Sequence, residues 1–181
     1  MQNLAIVVPL KDFDVAKSRL RLGGIQGVDD VVRTLACGVL KAARPRPLFV
    51  ACESADVANF ALACGAEVIR SHANDLNEAV SNAYRTLRGQ FEHLLIALGD
   101  IRNPLGLGEY EPRDGVTVIT DARGTGTNVL TLPTDLDFTF RFGSGSAMAH
   151  QREAQRLGVR VHVEFESPWR FDVDEPSDLS A

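Results

Sequence analysis

Three aspartates mark the places where this chain could do cation chemistry. Asp172 and Asp174 flank one valine in "FDVDEPSDL", directly after a stretch with strand character. Residues i and i+2 of a strand share a face, which sets the roots of the two carboxylates about 7 Å apart. The pair reads either as a solvated strand end or as half of a cation site. Asp100 closes the apolar run "HLLIALGD" behind a glycine that permits close backbone approach. A carboxylate so placed can give oxygen ligands to a hard divalent cation such as magnesium, or it can cap the next turn.

Three further clusters could handle anions. "PLKDFDVAKSRL" carries Lys11, Lys17 and Arg19 just after the first apolar run. Cationic side chains there suit a polyphosphate, although Asp12 and Asp14 also make the stretch an ordinary charged loop. "DARGTGTN", Asp121 to Asn128, can turn amide N–H groups and hydroxyls toward phosphate or carboxylate, and a plain hairpin turn uses the same residues. "RFGSGSAMAHQREA" sets Gly143, Ser144, Gly145 and Ser146 ahead of a helical pattern, whose N-terminus offers N–H groups to an anion or is simply capped by serine. No GxxxxGK[ST], GxSxG or HExxH is present, and His72, His93, His150 and His162 are scattered enough to read as surface or packing residues. Strand-end carboxylates, a basic loop and two anion-friendly loops together suit metal-assisted phosphoryl or nucleotidyl transfer.

The elements that must position these residues follow from patterning. Leu4 to Val8 is a buried strand, and Asp29, as N-cap, opens a helix to Ala43. A strand follows in "RPRPLFVAC". Ser54 caps a helix through Ala63 that Gly65 stops, and "AEVIRS" is the third strand. Asp75 to Leu87 is helical, "HLLIALGD" is a strand, and "GVTVITD" and "NVLTLP" are strands around a Gly/Thr turn. Ser144 to Leu157 forms a helix stopped by Gly158, and "VRVHVEF" is the last strand. Apolar strands alternating with helices predict a single α/β domain over residues 1–181. Its expected core is a Rossmann-like, mostly parallel mixed sheet with helices on both faces. Ligands of such sheets bind beyond the carboxyl ends of the strands, where all of these clusters fall.

Bulk properties narrow the partners. A net charge of −5 argues against nonspecific nucleic-acid binding, which calls for a strong basic excess. No apolar run approaches the ~20 residues that span a bilayer. Cys37, Cys52 and Cys64 lack CxxC spacing and sit in apolar stretches, so they read as small core residues of a cytoplasmic protein.

With these clusters in order, the chain resembles the 2-phospho-L-lactate/phosphoenolpyruvate guanylyltransferases of deazaflavin coenzyme F(420) biosynthesis. These are nucleotidyltransferases of the nucleotide-diphospho-sugar transferase, or glycosyltransferase-A-like, fold. "VPLKDFDVAKSRL", "LNEAV", "ALGD", "DARGTGTNVL", "RFGSGSAMAHQREAQRLG" and "FDVDEPSDL" carry the likeness. It implies that Asp100, Asp172 and Asp174 hold Mg2+, and that Lys11, Thr127, Gly143 and Ser146 bind the acceptor's phosphate and carboxylate. It places Lys17 and Arg19 at the triphosphate of GTP and Asn77 near the nucleotide base, with a homodimer left open.

The chain departs from the resemblance after Asp100. "IRNPLGLGEYEPRDG" runs quickly into the next strand, so the helix usual there is expected to be shortened or lost. Two other readings stand beside the first. One is a nucleotidyltransferase for a sugar phosphate or molybdopterin, although the GxGxR-like loop of those relatives is missing from "KDFDVAKSRL". The other is a catalytically impaired GTP-binding partner subunit.

Overall fold

The structure is a computed structural model that describes residues 3–70, 72–73 and 75–179. Among the described residues, seven strands form one sheet: β1 (Leu4–Pro9), β2 (Leu48–Cys52), β3 (Glu67–Arg70), β4 (His93–Ala97), β5 (Val116–Thr120), β6 (Thr127–Pro133) and β7 (Val161–Glu164). Their order is β3-β2-β1-β4-β6-β5-β7. All neighbours are parallel except β6, which is antiparallel to both β4 and β5. Ser71, at the end of the strand expected in "AEVIRS", lies outside the described residues.

Alternation along the strands divides the core into two layers. Leu4, Ile6 and Val8 of β1 pack on one face with α2 (Val28–Ala42) and α3 (Ala55–Ala63). Ala5 and Val7 pack on the other with α4 (Leu76–Leu87) and α5 (Ser146–Arg156). Strands buried on both sides need no polar face, which is why they read as unbroken apolar runs.

Helix starts follow the expected chemistry at two places and depart from it at two. Ser54 Oγ accepts from Val57 N at 3.2 Å, and Asp75 Oδ1 accepts from Glu78 N at 2.9 Å. Asp29, expected as the N-cap of α2, instead lies in its first turn and pairs with Arg21. The cap position belongs to Gly27 at φ 66°, because a glycine reaches the left-handed turn without steric cost. Likewise α5 starts behind Gly145 at φ 75°, with no serine side chain capping it. The short helix α1 (Ser18–Leu22) interrupts the basic loop. After β4 the chain makes only a 3-10 turn at Leu107–Glu109, as the brevity of that stretch implied. Of the cysteines, Cys52 is buried in the core, while Cys37 and Cys64 are half-buried side by side with sulfurs 4.0 Å apart. Among the described residues, no helix is long and apolar enough to cross a membrane.

Topology gathers the clusters on one rim. The parallel strands β1, β2 and β4 end there, β5 ends there, and antiparallel β6 begins there. The segment after β7 returns to the same rim through a 3-10 turn at Pro168–Arg170. Asn128, Arg170 and Ile101 fasten it. Asn128 Nδ2 donates to Trp169 O at 3.1 Å, and the Arg170 guanidinium donates to the carbonyls of Asp121 and Ala122 at 2.9 Å. Ile101 forms an antiparallel bridge with Asp172, flanked by Arg102 N to Phe171 O at 2.7 Å and Val173 N to Asp100 O at 3.1 Å. Ile101 is 1% exposed and belongs to the first core layer. Ile101→Ala should therefore lower the unfolding free energy by about 2–5 kcal/mol in urea titration. A loss under about 1 kcal/mol would mean that the bridge rests on no packed core.

Candidate active site

The Ile101–Asp172 bridge brings Asp100 against the Asp172–Asp174 pair. One carboxylate oxygen from each lies within 4.8 Å of the other two. Asp172 Oδ1 accepts from Asn128 Nδ2 at 3.3 Å, whereas Asp100 Oδ1 is buried without a hydrogen-bond partner. Three convergent carboxylates offer hard oxygen donors of the kind a divalent cation such as magnesium takes. Burial first, and then the charges of Asp100 and Asp174, push the Asp172 carboxyl up to about 6.

Lys17 supplies a countercharge from within. Its ammonium donates to Asp174 Oδ1 at 2.5 Å and also to Asp100. Burial works against the charged form, but the two carboxylates outweigh it and raise the Lys17 pKa. The residue holds a left-handed backbone, φ 57°, the single such non-glycine among the described residues. The resemblance sets Lys17 at the triphosphate; in the structure it stands among the carboxylates, since three acids this close draw in the nearest cation. Arg19 is exposed, with Nη1 3.7 Å from Asp174 Oδ2. Lys11 is exposed on a cleft of about 410 Å³ that also meets Lys17, Leu76, Gly99, Asp100 and Asp174. Gly99 packs closely here, since a Cβ would lie 2.3 Å from Leu10 Cδ2 and the leucine side chain would have to shift.

On the other side of β6 stand hydroxyls. The β5–β6 register slips between Ile119 and Thr120, so Ile119 faces Val129 while Thr120 faces Thr127. Strict alternation would put Thr127 on the Val129 face, with α2 and α3. The bulge turns it toward α5 instead, where Thr127 Oγ1 lies 3.1 Å from His150 Nδ1. "DARGTGTN" does make a hairpin turn, closed by Thr125 N donating to Asp121 Oδ1 at 2.8 Å.

The glycine–serine loop is held from three directions. Phe138, Phe140 and Phe142 are buried and lead into it. Thr139 N donates to Glu153 Oε1 at 2.9 Å, and Arg141 N donates to His150 Nε2 at 3.0 Å. Asn77 Oδ1 accepts from Phe142 N at 2.6 Å, and its Nδ2 donates to Phe142 O at 3.1 Å. Asn77, which the resemblance places near a nucleotide base, clasps this loop in the structure, its carbonyl and amide both meeting the Phe142 backbone. Gly143 turns at φ 124°, outside the range of a side-chain-bearing residue. Helix α5 does not offer all its first N–H groups to a ligand. Ser146 N donates to Gly143 O at 3.1 Å and Ala147 N to Thr125 O at 3.0 Å. The Ser146 hydroxyl is buried and has no hydrogen-bond partner.

Sequence patterning brought Lys11, Lys17, Arg19, Asp100, Asp172, Asp174, Thr127, Gly143 and Ser146 forward, and all of them sit on this rim. It gave Asn128 no role of its own and read His150 as a surface or packing residue. Asn128 ends a quoted motif without a role of its own, and a buried polar residue opening an apolar strand is the signal that could have singled it out. His150 carries no local signal, since its partners lie 23 and 9 positions away.

A three-layer α/β sheet with strand-end carboxylates facing a basic loop and a hydroxyl-lined loop defines a nucleotidyltransferase of the glycosyltransferase-A-like class. The chain belongs to the family described as "Guanylyl transferase CofC like", whose model matches residues 4–181. A phosphoenolpyruvate guanylyltransferase of Thermobaculum terrenum is 27% identical, covering 98% of this chain and 81% of that protein. A protein of the same name from Chloroflexus aurantiacus is 28% identical over 95% and 90%. Among solved structures, a nucleotidyl transferase from Methanothermobacter superposes with TM-score 0.71 at 18% identity, covering 99% of this chain and 95% of the other. That likeness bears on the fold alone.

The crowded carboxylates should be visible in stability. Asp172 has a folded pKa of about 6, above its ordinary value of 3.8, so its ionised form is disfavoured by folding. The penalty is absent below pH 3.8, grows between there and about 6, and is fully present above that. Asp172→Asn should therefore stabilise the metal-free protein at pH 8 by about 1–2 kcal/mol, with no gain near pH 4. Thermal melts at the two pH values check this, and an equal shift at both would refute it.

Proposed function

We propose that the chain joins GMP from GTP to a small phospho-acid, either phosphoenolpyruvate, 2-phospho-L-lactate or a phosphoglycerate, with release of pyrophosphate. Its place would be in deazaflavin coenzyme F(420) biosynthesis in the cytoplasm. One observation carries the reading: a cluster of three carboxylates lies between a cationic loop and a hydroxyl-lined loop on a single rim. The names of its relatives support guanylyl transfer and a phospho-acid acceptor.

In this reading a phosphate oxygen of the acceptor attacks the α-phosphorus of GTP. The bond from that phosphorus to the bridging oxygen breaks, pyrophosphate leaves, and a diphosphate diester remains. The acceptor phosphate is already ionised near neutral pH, so no general base is needed. The task is to neutralise and align two polyanions. Lys11 and Arg19 face the cleft and would attract them. Thr127, Gly143 and Ser146 would seat the acceptor. Asp100, Asp172 and Asp174 would hold Mg2+, which when bound supplies positive charge for the triphosphate. Lys17, freed from Asp100 and Asp174 by that charge, would then be available to the phosphates.

A pyrophosphate-release assay crossing four nucleoside triphosphates with the three phospho-acids tests the proposal. Release is expected from GTP only, and only with both a phospho-acid and magnesium supplied. Asp172→Asn and Asp174→Asn should each cut turnover at least a hundredfold while the protein stays folded. Turnover with a sugar phosphate instead, or GTP binding without turnover for every acid, would reject this reading.

A further inference from the structure

His150 is fully buried, yet both of its ring nitrogens are engaged, and the two contacts together determine where its proton sits. Arg141 N–H lies 3.0 Å from Nε2. A backbone N–H can only donate, so Nε2 must carry its lone pair. A neutral imidazole then has its hydrogen on Nδ1, which donates to Thr127 Oγ1 at 3.1 Å. Burial, only partly countered by Glu153, lowers the His150 pKa to about 4, in keeping with a neutral ring. Thr127 Oγ1 is therefore an acceptor toward α5, and its own hydrogen must point elsewhere. Thr127 is itself 3% exposed, and no carbonyl or carboxylate takes that hydrogen among its described contacts.

Ser146 and His150 are four positions apart on α5 and so share a face. The Ser146 hydroxyl is buried and unpartnered. The first two N–H groups of α5 are already taken by Gly143 O and Thr125 O. With those two N–H groups occupied, hydroxyl hydrogens are among the donors that an anion seated against this loop can meet, and their direction matters.

We propose that His150 is a positioning residue that, by donating from Nδ1, turns the Thr127 hydroxyl hydrogen outward to an oxygen of the acceptor's anionic group. The inference rests on the acceptor site of the preceding section, and it assigns that site a supporting residue. A second contact of His150, through Nε2, holds Arg141 and hence the start of the glycine–serine loop. The two contacts can be separated by substitution. Gln places an acceptor near the Nε2 position and keeps the loop anchored, but it loses the donor to Thr127. Asn places a donor near the Nδ1 position and loses the anchor.

Long-range proton–nitrogen spectra of histidine-labelled protein at pH 7 should show His150 protonated on Nδ1 alone. An Nε2-protonated ring would overturn the inference. Calorimetric titration with inorganic phosphate and with phosphoenolpyruvate, without GTP, gives the second readout. Loss of one directed hydrogen bond to an anion should weaken both ligands roughly tenfold in His150→Gln and in Thr127→Val. His150→Asn should retain most of the affinity. The His150→Gln/Thr127→Val double variant should be no weaker than Thr127→Val alone, since one acts through the other. Additive losses, unchanged affinity in His150→Gln, or wild-type protein that binds neither ligand would each overturn the inference. Phosphate binding with these losses but no binding of phosphoenolpyruvate, 2-phospho-L-lactate or phosphoglycerate would uphold His150 and reject the acceptor reading.

Discussion

Mutual repulsion among Asp100, Asp172 and Asp174 is the constraint around which the rest of this rim is arranged. Their oxygens are held within 4.8 Å. Charges of like sign at that range, partly desolvated, can stay together only if the backbone forces them and a cation answers them. The force comes from the Ile101–Asp172 bridge, from Asn128 beneath Trp169, and from the Arg170 guanidinium pinned over the end of β5. Lys17, from the loop after β1, supplies the answering charge within the chain itself. A divalent ion would supply more, and it would release Lys17 toward the cleft that Lys11 and Arg19 border.

Strand β6 separates the acidic half of the rim from the hydroxyl half, and its first two residues serve one half each. Asn128 steadies Asp172 on one face, and Thr127 meets His150 on the other. The bulge opposite Thr120 decides which residue serves which half. Without that slip the two side chains would exchange faces. On the hydroxyl side, Asn77, His150 and Glu153 each bind the backbone between Thr139 and Phe142. The loop that follows therefore starts from a fixed place, although its glycines leave the loop itself free to turn. A small anion needs such placement, because it is recognised by a few directed hydrogen bonds rather than by buried area.

Elements and composition were legible in the chain because burial on both faces leaves a plain imprint. Apolar runs such as "LAIVVP" and "HLLIA" can hardly be anything but central strands, and Ser54 and Asp75 announce the helices they cap. Gly65 and Gly158, at φ 76° and 70°, stop helices for the reason their type suggests. Other features had no such imprint. The five residues of α1 are too few to show a period, with Leu20 as its one buried residue. Gly27 and Gly145 displaced Asp29 and Ser144 as helix starts, since a left-handed turn can replace a side-chain cap. The antiparallel direction of β6 was hidden too, because a strand buried on both faces reads alike in either sense.

By itself the sequence determined the layered α/β architecture, the gathering of charged and hydroxyl residues at strand ends, and the family to which those motifs belong. Each of these depends on residue type and local spacing, which the chain displays directly. Tertiary structure alone decided that Lys17 lies among the carboxylates, that Asn77 grips a loop 65 positions away, and that a buried histidine meets a threonine. Those facts depend on sheet order, one bulge and one bridge. Such features bring together residues far apart in the chain, and no local pattern records which of them will meet.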